Sequence, residues 1–143
     1  MSDLPARLAE IVEDFSDCQG REKLEYLLEF AERLPDVPAR LHALQDDAHQ
    51  VHECITPIWL YAEENAGKFH FYFDVPQESP TVRGFASIMQ EGAQDLTREQ
   101  LLAIPFDFYY QMGLQEVLSS QRLNGIGAIL HHMKQQVTKT GAS

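Results

Sequence analysis

The chain has 143 residues, with 22 acidic and 11 basic side chains and a formal net charge of −11 at pH 7. Its length is near that of one domain and its hydrophobic fraction of 44% is typical of globular proteins, so we expect a single domain over residues 1–143. The charge argues against nucleic acid as a partner, because phosphate binding needs a basic surface.

The cysteines and the apolar runs bear on the cellular compartment. Cys18 and Cys54 are the two cysteines and form no CxxC pair, which suits a reducing environment. The sequence begins without a basic stretch followed by an apolar core, and no run approaches the roughly 18 apolar residues that a membrane span needs. We therefore expect a cytoplasmic protein without a membrane partner.

Two amphipathic helices are predicted at the start of the chain. The first carries its apolar residues on one face, and the second repeats the pattern until Pro35 ends it. The apolar positions of the two helices are Leu4, Leu8, Ile11, Val12 and Phe15, then Leu24, Leu27, Leu28, Ala31 and Leu34. Residues 35–50 have weak apolar spacing and are predicted as a connecting loop with one short helical turn.

A β-hairpin is predicted next, because the period of the apolar residues changes. Residues 58–62 form a short apolar run, residues 64–67 form a turn, and residues 68–75 alternate strictly between apolar and polar side chains. Such alternation is typical of a strand with one buried face. We expect a small antiparallel sheet of two to three strands.

The rest of the chain is predicted to be helical. Ser79 and Pro80 are suited to the start of a helix, and Thr97 with Gln100 forms a capping box before a short helix that Pro105 ends. A last helix is predicted from about Gln121. The fold class is therefore α+β, with a small antiparallel sheet packed against several helices.

Cys54 is the candidate functional residue, because it lies beside a proline-marked turn that leads into an apolar, aromatic-bearing run. His49, His52 and Cys54 could contribute to a zinc site, which needs three or four N or S ligands. A cysteine hydrolase with His49, His52 or His70 as its base is a second alternative. In a third, the chain is a protein-interaction module in which Cys54 is an inert apolar residue.

The sequence also resembles the SufE family in four segments that occur in the family's order. Val51–Leu60, with Cys54 and Trp59 five apart, resembles its active-site loop, and Arg21–Pro35 resembles its second helix. Glu78–Gly84 is similar to the segment that enters the third helix, and Ser120–Gly125 is similar to the entry to the last. The loop is closest to the family variant with an E-C-x-T-P sequence, although Ile55 differs from the glutamine found there.

This resemblance implies a SufE/IscU-like fold and a sulfur-accepting function. In such a protein, Cys54 takes sulfane sulfur as a persulfide from a SufS-like, PLP-dependent cysteine desulfurase, stimulates that enzyme, and delivers the sulfur to the SufBCD scaffold for iron–sulfur cluster assembly. The chain would then be an activator of the desulfurase rather than a stand-alone enzyme. The resemblance implies a monomer or weak dimer that holds no metal or cofactor of its own.

The same resemblance implies which residues support the chemistry. Cys54 must be a thiolate when it attacks a persulfide, and nearby cations favour the anion. Arg83 and Arg122 are the cations at positions that match the family, and Glu78 lies in the same matched segment. Cys18, at the break between the first two helices, is predicted to have no part in sulfur transfer.

Overall fold

The computed structural model describes residues 4–42, 50–51 and 58–140 of the chain. Helices and two paired strands follow one another in the predicted order, which confirms the α+β class. The helices are α1 (Ala6–Asp17), α2 (Arg21–Arg33), α3 (Ala39–His42), α4 (Pro80–Gly92), α5 (Arg98–Leu102) and α6 (Ser120–Thr140), and the strands are β1 (Trp59–Asn65) and β2 (Lys68–Asp74).

The hairpin is longer than the sequence indicated. Its antiparallel register runs from Trp59 opposite Asp74 to Asn65 opposite Lys68. Ala66 and Gly67 have φ angles of 56° and 81°, the positive values that a two-residue hairpin turn requires at both positions. The prediction of a four-residue turn at 64–67 was therefore wrong, because the alanine adopts a conformation more often taken by glycine or asparagine.

The inner face of the hairpin packs on the main hydrophobic core. Phe69, Phe71 and Phe73 are buried, as the alternating pattern predicted. The core also takes buried residues from α1, α2, α4 and α6. Gly84 allows α4 to approach α2 closely, because a Cβ there would stand 2.9 Å from Leu27 Cδ1 and would clash with the Leu27 carbonyl oxygen.

Most helix boundaries agree with the sequence-based predictions. The Thr97–Gln100 capping box is present, and α4 begins at Pro80, although the Ser79 side chain makes no capping hydrogen bond. Two 3₁₀ turns, 108–112 and 114–116, were not predicted. Within the described ranges, no helix is long and apolar enough to cross a membrane.

Candidate functional site

The loop that contains Cys54 leaves the fold at the start of β1. Val51 donates its backbone N–H to the carbonyl of Ile58 at 2.8 Å, and Gln50 forms an antiparallel bridge with Trp59. Val51 and Ile58 are both fully buried. The base of the loop is therefore held together by backbone pairing, and the chain entering it lies beside β1 as a short third strand would.

Residues 52–57 lie outside the part of the chain that the structure describes, and Cys54, Glu53 and Ile55 are among them. The placement of Cys54 relative to its predicted partners thus stays a prediction. The described residues near Val51 and Ile58 show which groups surround the point where this loop begins and ends.

Arg83 lies at the same end of the hairpin as the loop base. Trp59, which follows Ile58, pairs with Asp74, and Val75 is the next residue after Asp74. The Arg83 side chain, in the first turn of α4, donates from Nη1 to the Val75 carbonyl at 2.6 Å. This hydrogen bond holds the guanidinium close to the strand end from which the Cys54 loop departs.

Arg122 reaches the same helical turn from another direction. It lies in the first turn of α6 and donates from Nη1 to Thr81 Oγ1 at 2.8 Å, while its own backbone N–H donates to Ser119 Oγ at 3.3 Å. Thr81 is buried and lies two residues from Arg83 on α4. The two arginines that the family resemblance selected are therefore both attached to the first turn of α4 or to the strand end beside it.

Both cations and carboxylates lie around this turn. Arg122 binds Thr81 in the first turn of α4 and Arg83 binds the carbonyl of Val75, near a helix N-terminus where the dipole adds partial positive charge, while Asp36 and Asp74 line the same pocket as Arg83. Cationic groups and helix N-termini both lower the pKa of a nearby thiol and stabilise its thiolate. A thiol that approached this turn would be in surroundings suited to a nucleophile.

Glu78 is placed differently from the arginines. It is exposed, in a turn closed by the Ser79 N–H and the Pro76 carbonyl at 3.1 Å, just before α4 begins. Its carboxylate is thus carried on the surface next to the arginine-bearing turn.

An open pocket of about 350 Å³ lies at the end of β2. One wall is formed by the end of β2 and Arg83, and the other by the connection between α2 and α3. The lining residues are Pro35, Asp36, Val37, Ala39, Phe73, Asp74, Val75 and Arg83. Asp74, one of these residues, pairs with Trp59, which follows the loop base.

The histidines of the alternative functions are only partly described. His49 and His52 lie outside the described residues, and within the ranges that are described no three metal-ligating side chains come together. His70 pairs with Asp95 at 2.8 Å and faces Glu63 across the hairpin. That position is four residues along β1 from Trp59, about 13 Å at the usual rise of a strand, so the geometry gives no support to His70 as a base beside the loop.

Cys18 lies between α1 and α2, in surroundings unlike those of the arginine-bearing turn. Its Sγ donates to the Asp14 carbonyl at 3.4 Å, and it borders a cavity whose other lining residues are Asp14, Glu22, Glu25, Tyr26 and Glu29. Burial raises the pKa of the Cys18 thiol, the charge of Glu22 raises it further, and Lys23 opposes both. Cys18 is accordingly a poor nucleophile at neutral pH.

Thr81 and the wall formed by residues 35–39 were not predicted as parts of the site. Thr81 lies inside the Glu78–Gly84 segment that resembles the family, so the resemblance contained the signal. The wall had no such signal, because its apolar residues follow no helical or strand period. Only the folded arrangement brings it beside β2.

The whole arrangement defines a class: an α+β domain with a hairpin, a backbone-paired loop at one end of it, and a cationic helix terminus beside that loop. A solved structure of a hypothetical protein from Thermus thermophilus has the same fold, with a TM-score of 0.84, 34% sequence identity, and coverage of 98% of this chain and 99% of that one.

Sequence comparison identifies the family. Residues 9–137 match SufE, described as an Fe-S metabolism associated domain. An uncharacterised SufE-like protein of Mycobacterium tuberculosis is 40% identical over 135 residues, which cover 94% of this chain and 93% of that protein. The chloroplastic/mitochondrial SufE-like protein 1 of Arabidopsis thaliana is 25% identical and matches 95% of this chain but 36% of its own length. The chain belongs to the SufE family, and this membership supports a role in iron–sulfur metabolism as a sulfur-transfer protein.

Proposed function

We propose that the protein accepts sulfane sulfur on Cys54 from a PLP-dependent cysteine desulfurase of the SufS type. It holds the sulfur as a persulfide and passes it to a SufBCD-type scaffold for iron–sulfur cluster assembly. It acts as a cytoplasmic single-domain carrier, monomeric or weakly dimeric, that stimulates the desulfurase. The proposal is most strongly supported by Arg83, which is hydrogen-bonded to the strand end beside which the Cys54 loop begins.

The transfer step is a thiol–persulfide exchange. The Cys54 thiolate attacks the outer sulfur of the desulfurase persulfide, a new S–S bond forms to Cys54 Sγ, and the S–S bond on the desulfurase breaks. The desulfurase cysteine leaves as a thiolate, which takes up the proton released when Cys54 ionises. One disulfide-type bond replaces another, so the step needs no external oxidant or reductant.

Arg83 and Arg122 have distinct roles in this proposal. Arg83, held at the strand end, supplies positive charge close to the loop base and stabilises the Cys54 thiolate. Arg122, which is more exposed, holds Thr81 and carries positive charge outward to the incoming desulfurase. Glu78, exposed beside the same turn, contacts the desulfurase.

The direct test is to incubate the protein with desulfurase, cysteine and PLP, and to measure the intact mass. We expect a gain of one sulfur atom that a reductant removes. Cys54→Ser should abolish the gain, and Cys18→Ser should preserve it, so the two cysteines are matched controls for each other. If a cognate desulfurase gives no gain on the unaltered protein, the proposal is wrong.

The same assay tests the proposed role of Arg83 when the rate of sulfur loading is measured as a function of pH. Arg83→Gln should slow loading at pH 7 and shift the rise of the rate to higher pH, because less of Cys54 is then thiolate. Arg98→Gln is the matched control, since Arg98 donates to the Val137 carbonyl at 3.1 Å, a backbone contact of the same kind on a different element. An equal shift in both variants would contradict the role of Arg83.

Zinc binding by His49, His52 and Cys54 is the remaining alternative. It predicts stoichiometric zinc in the purified protein and loss of that zinc in His52→Ala. Cys54 would then be a metal ligand, and sulfur loading would require removal of the metal first.

A further inference from the structure

Thr81 joins the first turns of two helices that are distant in sequence. It is the second residue of α4, is 9% exposed, and accepts a hydrogen bond at 2.8 Å from Nη1 of Arg122, the third residue of α6. The Arg122 backbone is fixed as well, because its N–H donates to Ser119 Oγ at 3.3 Å. An exposed arginine is therefore held by its backbone at one end and by a buried hydroxyl at the other.

The acceptor that holds Arg122 is uncharged, unlike the acceptors of other arginines in the protein. Arg7 is paired with Glu91, and Arg40 is paired with Glu63. Among the residues that the structure describes, no ion pair includes Arg122. A hydroxyl is neutral, so it orients the guanidinium without cancelling its charge.

The position of Arg122 does not stabilise the helices that it touches. It lies in the first turn of α6, and its side chain reaches the first turn of α4. A helix N-terminus carries partial positive charge, so a cation is less favourable there than at a C-terminus. Arg98 shows the favourable case, because it donates to the Val137 carbonyl in the last turn of α6. Helix stability therefore does not account for an arginine at position 122.

A guanidinium held in this way is suited to an anionic group on a partner. Arginine binds a carboxylate through parallel N–H donors, and a side chain that is already oriented loses less freedom on binding. Nη1 of Arg122 is used by Thr81, whereas Nε and Nη2 have no hydrogen-bond partner among the described residues. These donors are left for a group outside the protein.

We propose that Thr81 is a positioning residue for docking: it fixes the direction of Arg122, which then binds a carboxylate on the surface of the desulfurase. Thr81 acts through Arg122 alone. The hydrogen bond between them strengthens the association of the two proteins and leaves the sulfur-transfer step unchanged. This inference rests on the proposed function, since the desulfurase is the partner assigned there.

The test measures desulfurase turnover, as alanine formed from cysteine, against the concentration of this protein, with a reductant present to release the transferred sulfur. Thr81→Val keeps the shape of the side chain and removes its hydroxyl. It should raise the apparent KM for this protein about two- to tenfold, the range expected when one long side chain must be ordered on binding, with kcat unchanged. Thr81→Ser keeps a hydroxyl and should keep the KM of the unaltered protein. An unchanged KM in Thr81→Val, or an equal rise in Thr81→Ser, would overturn the proposal.

Arg122→Gln removes the group that Thr81 is proposed to orient. It should raise the KM at least as much as Thr81→Val does. The double variant should raise the KM no further than Arg122→Gln alone, because both substitutions remove the same contact. Effects that multiply in the double variant, or a fall in kcat with an unchanged KM, would contradict the proposed role.

Ser87→Ala is the matched control for the loss of a buried hydroxyl. Ser87 is 3% exposed and lies six residues beyond Thr81 on the same helix. Its replacement should leave both KM and kcat unchanged. If Ser87→Ala raised the KM as much as Thr81→Val, the effect would come from a weakened α4 and not from Arg122.

The contact between Thr81 and Arg122 can also be measured without the desulfurase. In chemical denaturation, the double variant should lose less free energy of unfolding than the two single variants together, because the hydrogen bond is lost only once. Additive losses would overturn the proposal. Coupled losses with normal sulfur loading and an unchanged KM would refute the docking role and leave the sulfur-acceptor function intact. Coupled losses with no sulfur loading of the unaltered protein would refute the sulfur-acceptor function itself.

Discussion

The two faces of the β-hairpin are covered in different ways. On the inner face, the main core draws buried side chains from five helices and both strands, and α2 and α4 approach so closely that Gly84 has no room for a Cβ. On the outer face, the segment 35–41, which we call the strap, contributes Val37 and Leu41 to a cluster with Tyr61. The same two strands therefore have a large cover on one face and a small cover on the other.

The contrast matters because the loop of Cys54 begins between these two covers. Its base, Val51 and Ile58, is buried and belongs to the main core. The open pocket at the end of β2 has the strap as one of its walls. The residues that anchor the loop are thus packed in the large cover, whereas the pocket wall belongs to the small one.

The largest expected effect on stability is at Gly84, on the inner side of the hairpin. Gly84→Ala should lower the free energy of unfolding by about 3 kcal/mol, because the added Cβ collides with a backbone carbonyl that cannot turn aside as a side chain could. Chemical denaturation followed by circular dichroism would measure it.

Gly127→Ala is the control for that substitution. Gly127 is also within a helix, but the nearest atom to its added Cβ is Tyr109 Oη at 3.5 Å, an ordinary contact. Alanine there should be neutral or raise the free energy of unfolding by about 0.5–1 kcal/mol, since it is the better helix former. If both variants were equally destabilised, close packing of α2 on α4 would not be the cause.

A smaller effect on stability is expected from a matched pair of valines, one in the cover on each face of the hairpin. Val37 in the strap is 8% exposed and Val12 on α1 is 7% exposed. Val12→Ala should cost about 1–2 kcal/mol, because the main core relaxes little around a missing group. Val37→Ala should cost less in global unfolding, because the strap can close towards Tyr61.

Chemical denaturation followed by circular dichroism would measure both losses. Equal losses in the two variants would mean that the strap is as firmly packed as the core.

Local sequence patterns predicted the inner side of the hairpin and the helices that pack there well. The alternation of Phe69, Phe71 and Phe73 identified the buried face of β2, and Thr97 with Gln100 identified the start of α5. Both signals depend on neighbouring residues, which the sequence shows directly. The length of β1 was missed because the φ of Ala66 depends on the pairing of the strands and not on the preference of alanine.

The other side could not be predicted in the same way. Burial of Val37 depends on Tyr61, which is distant in sequence, and no local period links them. Lys23, on the inner side, is an exception to the well-predicted patterns there, because it is a charged residue of α2 that is 3% exposed and donates from Nζ to the Phe15 carbonyl at 3.0 Å. At the site, the family resemblance selected Arg83 and Arg122, whereas their hydrogen bonds to Val75 and Thr81 appear only in the folded protein.

The smallest effect on sulfur transfer is expected at Cys18, which lies between α1 and α2 on the inner side. Its thiol is partly buried, hydrogen-bonded to Asp14, and near Glu22, all of which favour the protonated form. In Cys54→Ser, the remaining Cys18 should be alkylated more slowly than free cysteine at pH 8, and its rate should keep rising to higher pH than that of the free amino acid, because its folded pKa is raised. Cys18→Ser should leave sulfur loading unchanged. Loss of loading in that variant would mean that sulfur passes between the two cysteines.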